Sequence, residues 1–160
     1  MDFADSSCQD FTDTSRSTGA YIIFYQGGPI DHVTHVPGGV AQSSAESEYN
    51  AAFTAVMTLA HFRMLIHELL NKYTYVVQEE APLITLDSKY TVCMSNNGKE
   101  TKHTRHISKR VNFARNGENC RMNKIDWCKG GLQLADIATN IVGKHNLTPR
   151  MKYIMIILDN

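Results

Sequence analysis

The sequence lacks an apolar run long enough to cross a membrane, and it lacks the features of a secretory leader. A membrane-spanning helix needs about 20 predominantly apolar residues in succession, and no such run occurs in the 160 residues. The first fifteen residues contain four aspartates and no basic residue, whereas a signal peptide opens with a basic segment followed by an apolar one. We therefore expect an intracellular protein.

Cysteine is scarce, and the cysteines that are present have no metal-binding spacing. The four of them, Cys8, Cys93, Cys120 and Cys128, include no Cys-x-x-Cys pair. Two His-x-x-His pairs occur, at 32–35 and 103–106, but no Cys-x-x-Cys pair is present to complete a zinc site with them. We therefore expect no zinc site, and we predict reduced, buried thiols.

Net charge is also absent, because 16 basic residues balance 16 acidic ones. The two signs are nevertheless separated along the chain. Residues 1–98 contain 4 Lys and Arg against 11 Asp and Glu, whereas residues 99–160 contain 12 against 5. An acidic part that holds cations beside a basic part that holds phosphates would produce this pattern, so it indicates contact with nucleic acid. An accident of surface composition is the alternative.

The spacing of the apolar residues predicts an α/β fold with a mixed sheet. Strands are predicted at 3–5, 18–25, 30–36, 83–86 and 121–129, and helices at 43–70, 88–95, 103–115 and 132–142. The first strand is short, and the long helix is either continuous or broken near 58–60. Ser43 and Glu46 have the Ser-x-x-Glu spacing of a capping box at the start of this helix. We expect one domain over 1–146 and an extension over 147–160, which contains a candidate strand at 153–158.

Three aromatic side chains are expected in the core. Tyr49 and Phe53 belong to an apolar stripe at helical spacing in the long helix. Trp127 alternates with Ile125 in a predicted strand, which favours a buried position.

Four acidic residues fall where a metal-dependent hydrolase needs them. Hydrolysis of a phosphodiester with two Mg²⁺ ions requires several carboxylates from different elements that converge on one point. Glu48 lies one turn into the long helix, and Asp87 follows the strand at 83–86. Asp5 follows the first strand, and Asp136 lies in the first turns of the last helix. Structural alternatives stay open for all four: a solvated position for Glu48, an N-cap for Asp87, a turn for Asp5 and the helix dipole for Asp136.

Five blocks of the sequence carry a family resemblance. They are RSTGAYIIF (16–24), VAQSSAESEYNAA (40–52), TLDSKYTVCM (85–94), TKHTRHI (101–107) and GLQLADIAT (131–139). In this order they resemble the ribonuclease H domains of copia-type retrotransposon polyproteins, and the blocks at 40–52 and 131–139 are the most specific. The resemblance implies a ribonuclease H-like fold in which a five-stranded mixed sheet is flanked by helices.

The resemblance also implies an active site and a reaction. The family's catalytic, metal-binding Asp, Glu, Asp and Asp fall on Asp5, Glu48, Asp87 and Asp136. The family hydrolyses the RNA strand of RNA–DNA hybrids during reverse transcription, with two Mg²⁺ ions (or Mn²⁺ as a substitute) and an activated water as the nucleophile. The parent polyprotein would contain a reverse transcriptase domain, and the protein would be found in the cytoplasm or in a virus-like particle.

The basic segment is expected to contact the nucleic acid. The candidate residues are Lys102, Arg105, His106, Lys109 and Arg110. Their side chains would bind backbone phosphates. A solvated basic helix is the alternative.

Two other functions remain open. Because the first strand is short, the chain could be a truncated or decayed copy that folds and binds nucleic acid without cleaving it. The second alternative is a domain of the same fold that acts on DNA, like an integrase or resolvase core, which the order of the five blocks disfavours.

Overall fold

Five strands form one sheet in the computed structural model, which describes residues 1–11, 13–71, 81–97, 105–140, 145, 147–151 and 154. The strands are β1 (Asp2–Phe11), β2 (Arg16–Tyr25), β3 (Gly28–His35), β4 (Leu83–Leu86) and β5 (Lys124–Trp127). The helices are α1 (Ser44–Asn71), α2 (Lys89–Asn97), α3 (Ser108–Asn119) and α4 (Asp136–Thr139), and short 3-10 turns lie at Arg105–Ile107 and Gly130–Leu132. The predicted order of strands and helices is confirmed.

The sheet has the strand order β3-β2-β1-β4-β5. The first three strands are antiparallel neighbours, whereas β4 runs parallel to β1 and β5 runs parallel to β4. Parallel neighbours need crossover connections, and the chain supplies α1 between β3 and β4 and then α2 and α3 between β4 and β5. The five-stranded mixed sheet flanked by helices is therefore confirmed.

The long helix α1 packs one apolar stripe on the sheet. Tyr49, Ala52, Val56 and Leu59 recur at intervals of three or four residues, and all four are buried in the main core. Phe53 is only partly buried and packs against this core. The helix is continuous over its 28 residues, so the break near 58–60 is excluded.

The start of α1 is set by a capping box, as the Ser-x-x-Glu spacing predicts. The Ser43 hydroxyl accepts a hydrogen bond from the Glu46 backbone N–H at 3.2 Å. The Glu46 carboxylate in turn accepts one from the Gln42 backbone N–H at 2.7 Å. Glu46 therefore has a complete local role.

The prediction of a short first strand was wrong. β1 continues from Asp2 to Phe11 and pairs with β2 from Phe3 opposite Ile22 to Phe11 opposite Arg16. The segment after Asp5 is polar, so it has no apolar alternation, and pairing with β2 defines it instead. Asp5 consequently lies within a ten-residue strand, and the argument for a decayed copy from a short strand does not hold.

Three other predicted bounds need correction. The strand predicted at 121–129 is confined to Lys124–Trp127, because Arg121 has a positive φ of 55° and closes a turn after α3. α3 begins at Ser108, behind a 3-10 turn, and ends at Asn119. α4 has only four residues because a 3-10 turn occupies Gly130–Leu132, and residues 141–144 lie outside the described part of the chain.

Two predictions about burial were also wrong. Trp127 is 42% exposed. It is the last residue of β5, which is one of the two edge strands of the described sheet. None of the four cysteines, all of them in the described part of the chain, forms a disulfide, but only Cys128 is buried. The exposed thiols are those of Cys8, Cys93 and Cys120.

The C-terminal segment is described in part. Residues 147–151 are helical, and of the candidate strand at 153–158 only Ile154 is described, in a helical conformation. The division at residue 146 stays a prediction. Among the helices in the described ranges, none is both long and apolar enough to span a bilayer.

Candidate functional site

Three carboxylates meet beside the carboxyl end of β4: Asp5 from β1, Asp87 directly after β4 and Glu48 from α1. Phe3 of β1 lies beside Thr85 of β4 in a parallel pair. Side chains alternate along a strand, so two residues further on Asp5 and Asp87 are on the same face. Glu48 approaches them from α1, and the three side chains each offer an oxygen within 4.8 Å of the others.

The helix can approach the sheet closely because small residues lie between them. Ala51, Ala52 and Ala55, which follow Glu48 along its face, are each 1% exposed. A Cβ at Gly19 on β2 would lie 3.5 Å from the Ala51 Cβ and 3.1 Å from His35 Cε1. A larger side chain at Gly19 would therefore push α1, and with it Glu48, away from the strands.

Glu48 is poorly solvated and surrounded by like charge. Burial, followed by the negative charges of Asp5 and Asp87, raises the pKa of Glu48 from its usual 4.5 to about 9. Hydrogen bonds from the Ser6 backbone and the Ser6 side chain lower this pKa only in part. Among the described residues, the buried Glu48 Oε2 has no hydrogen-bond partner. An unpaired buried carboxylate oxygen is costly, so this position is suited to a cation.

Asp5 and Asp87 also have raised pKa values. Burial raises the pKa of Asp5 from 3.8 to about 6; the Thr139 hydroxyl, which donates to Asp5 Oδ2, lowers it, and the charges of Asp87 and Asp136 raise it. Burial and then the charge of Asp136 raise the pKa of Asp87. Both pKa values are therefore raised by burial and by neighbouring negative charge, and a bound cation would relieve this repulsion.

The fourth acid, Asp136, begins α4 and lies outside the group of three. Its Oδ2 forms an ion pair of 2.5 Å with Arg150 Nη1, and its Oδ1 accepts a hydrogen bond of 2.6 Å from Asn140 Nδ2. Arg150 is 8% exposed and also donates from Nη2 to the Gly130 carbonyl at 2.9 Å. The structure thus brings Asp5, Glu48 and Asp87 together and pairs Asp136 with a basic side chain.

The donor set fits a hard divalent cation. Carboxylate oxygens are the ligands that Mg²⁺ and Ca²⁺ prefer, whereas zinc favours nitrogen and sulfur. The unpaired Glu48 Oε2 and the mutual repulsion of Asp5, Glu48 and Asp87 are features that a bound cation would compensate. Asp5, Glu48 and Asp87 could therefore hold a divalent metal ion, to which Asp136 would add a ligand once released from Arg150.

The predicted phosphate-binding residues lie on and just before α3. Arg105 and Lys109 have exposed side chains. Arg110 is exposed too, but Nη1 donates to Asn50 Oδ1 and the guanidinium lies 5.9 Å from the Phe53 ring centroid. Lys102 and the His106 side chain lie outside the described part of the structure.

Two residues near the carboxylates have roles that the sequence did not predict, Gln133 and Arg150. Gln133 is fully buried, and its Nε2 donates to the Ala4 carbonyl at 2.7 Å and to the Thr85 carbonyl at 3.3 Å. It therefore joins the two strands that position Asp5 and Asp87. Arg150 lies in a segment without a recognisable motif, and its pairing with Asp136 depends on tertiary structure alone.

No model of a known protein family matches the chain, and neither does a curated protein. Solved structures do match. LC11-RNase H1, from a compost metagenome and solved with an RNA/DNA hybrid, is 13% identical with a TM-score of 0.61, over 87% of this chain and 92% of that chain. RNase H1 from the halophilic archaeon Halobacterium salinarum is 12% identical with a TM-score of 0.56, over 86% and 91%. The N-terminal RNase H domain of a Mycobacterium tuberculosis protein is 11% identical with a TM-score of 0.56, over 94% of each.

At these identities the similarity is one of fold. The chain has an RNase H-like fold, which confirms the fold class that the sequence blocks imply. The resemblance to copia-type retrotransposons depends on the sequence blocks alone.

Proposed function

We propose that the protein is a metal-dependent endonuclease that hydrolyses the RNA strand of RNA–DNA hybrids. The observation that carries this proposal is that Asp5, Glu48 and Asp87 converge beside the carboxyl end of β4 in an RNase H-like sheet. One oxygen of Glu48 has no hydrogen-bond partner among the described residues. LC11-RNase H1, which shares this fold, is solved with an RNA/DNA hybrid. Hydrolysis of the same substrate is therefore the activity that the fold and the site support best.

The metal ions of the proposal are two Mg²⁺, or Mn²⁺ in their place. Asp5, Glu48 and Asp87 would hold them, with Asp136 as the fourth ligand. When bound, they would supply activation of water and neutralisation of the charge that develops on the phosphate. The chain keeps the ligands in place through the Thr139 hydroxyl on Asp5 and through Gln133 between β1 and β4.

Binding of the hybrid is proposed for the basic side chains on and just before α3. The exposed Arg105 and Lys109 are suited to phosphate contacts. Arg110, Lys102 and His106 remain proposed contacts, and Arg110 would first have to leave Asn50. Selection of RNA would come from contacts to 2′-hydroxyls and from the shape of the minor groove.

The biological setting in the proposal is a copia-type retrotransposon. It is supported by the blocks at 40–52 and 131–139, in which Glu48 and Asp136 occupy the family's positions. In this setting the domain acts with a reverse transcriptase of the same polyprotein, in the cytoplasm or a virus-like particle, and removes the RNA template as DNA is made.

Cleavage of a labelled RNA–DNA hybrid, with RNA–RNA and DNA–DNA duplexes as controls, tests the proposal. We expect cleavage of the hybrid alone, only when Mg²⁺ or Mn²⁺ is added. Asp87→Asn should abolish it, whereas Asp13→Asn, in the exposed turn between β1 and β2, should not. Cleavage by Asp87→Asn at the wild-type rate contradicts the assignment of the site.

If the hybrid binds and is not cleaved, the protein is the non-catalytic binding domain instead. Isothermal titration with Mg²⁺ distinguishes the two functions. The enzyme should bind Mg²⁺ in a way that depends on Asp87, and the non-catalytic domain should not.

A further inference from the structure

Trp127 is an exposed aromatic side chain fixed beside a candidate metal ligand. Its indole Nε1 donates a hydrogen bond of 2.9 Å to the backbone carbonyl of Asp87, yet the residue remains 42% exposed. The one polar group of the indole is therefore satisfied, and what faces solvent is apolar ring. The ring is thus held in one orientation beside a candidate metal ligand, where it could contact a ligand of that site.

A basic side chain lies over the same ring. The Lys89 ammonium is 4.6 Å from the Trp127 ring centroid, and Lys89 is itself exposed, so its charge is still available to solvent or to a phosphate. Lys89 is the first residue of α2 and follows Asp87 by two positions. Tyr90, the next residue, is 59% exposed.

We propose that Lys89 and Trp127 form a nucleotide subsite that binds the sugar and phosphate next to the scissile phosphate on the cleaved strand. This inference rests on the proposed function, because the position of the cleaved phosphate is taken from Asp5, Glu48 and Asp87. The subsite adds substrate contacts on β5 and α2, on the opposite side of β4 from β1.

The chemistry of the pair favours a nucleotide over other ligands. Aromatic faces and cations are the two kinds of group with which proteins bind nucleic-acid strands without reading their sequence. In a hybrid the bases are stacked on each other, so the exposed indole would contact the ribose face while the ammonium contacts the adjacent phosphate. Both groups remain exposed although they are in contact with each other, so both are accessible to a ligand.

The chain offers a direct probe, because Trp127 is its single tryptophan. Intrinsic tryptophan fluorescence, excited selectively over the seven tyrosines, therefore reports on this subsite alone. We would use the full chain carrying Asp5→Asn, with Mg²⁺, so that the hybrid is bound without being cut. Binding is followed separately by the anisotropy of a dye on the DNA strand, and exposure of Trp127 by quenching with acrylamide.

The expected result is that a saturating hybrid shields Trp127, so that acrylamide quenching falls towards that of a buried tryptophan. If the hybrid binds by anisotropy and quenching is unchanged, the subsite is wrong while the proposed function stands. If the hybrid does not bind to this variant or to the wild-type protein, the proposed function fails and the subsite with it.

Substitutions test the two groups one at a time. Lys89→Gln should reduce the dependence of hybrid affinity on salt by about one counterion, as expected for one lost phosphate contact. Lys124→Gln, at the other end of β5, is the matched control and should not change it. Equal salt dependence in Lys89→Gln and the wild type would overturn the phosphate contact.

The aromatic contact is tested by a pair of variants. Trp127→Ala should weaken hybrid binding about fivefold, because the apolar contact of the indole with the ribose is lost. Trp127→Phe keeps a ring but loses the hydrogen bond to Asp87, and it should retain most of the affinity. Wild-type affinity in Trp127→Ala, in a protein whose circular dichroism is unchanged, would overturn the role of the ring.

Discussion

Arg150 and Asp136 form an ion pair of 2.5 Å that removes one predicted metal ligand from the other three. The arginine side chain is 9% exposed and the aspartate side chain 25% exposed. Arg150 also donates a hydrogen bond to the Gly130 carbonyl. Gly130 lies close to the acidic site, since a Cβ built on it would be 3.5 Å from Asp87 Oδ2. A basic group from the C-terminal segment is therefore held within the acidic site, where a divalent ion would compete with it for Asp136.

Removal of this competitor should strengthen metal binding. Arg150→Gln is expected to lower the Kd for Mg²⁺ about fivefold, which corresponds to an ion pair of about 1 kcal/mol. Isothermal titration without nucleic acid measures this effect, and Arg121→Gln, an exposed arginine in the turn after α3, is the control. Weaker Mg²⁺ binding in Arg150→Gln would mean instead that the arginine positions Asp136 for the metal.

The metal-free protein should lose stability as the pH rises. The pKa of Glu48 is raised from 4.5 to about 9 in the folded state, so between these values the folded protein binds more protons than the unfolded chain. The free energy of unfolding then falls with increasing pH, and Asp5, with a pKa raised to about 6, contributes in the same direction.

Thermal unfolding at pH 5 and pH 8 in the presence of a chelator measures this dependence. Glu48→Gln should make it shallower, and Mg²⁺ at pH 8 should restore stability to the wild-type protein. An equal pH dependence in Glu48→Gln and the wild type would contradict the raised pKa of Glu48.

Gln133 should stabilise the fold through the two strands that it joins. Gln133→Leu keeps a buried side chain of similar volume but leaves the Ala4 and Thr85 carbonyls without this donor. We expect a loss of about 2 kcal/mol in the free energy of unfolding, measured with urea. Gln42→Leu, at an exposed position, is the matched control, and a similar small loss in both variants would show that the hydrogen bonds of Gln133 contribute little.

The hydroxyl of Thr139 should favour the ionised form of Asp5, which is the form that binds a metal ion. It donates to Asp5 Oδ2 and lowers the pKa of that carboxyl, so Thr139→Val should raise this pKa further, because a hydrogen bond to the charged form is lost. Binding of Mg²⁺ should then require a higher pH. Titrations with Mg²⁺ between pH 5 and pH 8 measure the shift, and Thr139→Ser, which keeps the hydroxyl, should behave like the wild type.

The sequence could predict the elements that depend on local pattern. The apolar stripe of α1, the capping box at Ser43 and the short apolar strand Leu83–Leu86 were all predicted because each depends on residues close together in the chain. Asp5, Glu48 and Asp87 were singled out by their positions at such elements together with the family resemblance, and the fold brings all three to one place.

What the sequence by itself determined is the order of the elements, the mixed sheet and the choice of the three acidic residues that the fold brings together, since these depend on periodicity and motif. Tertiary structure alone decided the length of β1, because its polar residues are held by pairing with β2. It also decided the exposure of Trp127 at an edge strand and the pairing of Arg150 with Asp136. These features depend on which distant segments meet, and the free energy of such contacts is set by burial and charge in the folded chain and not by local spacing.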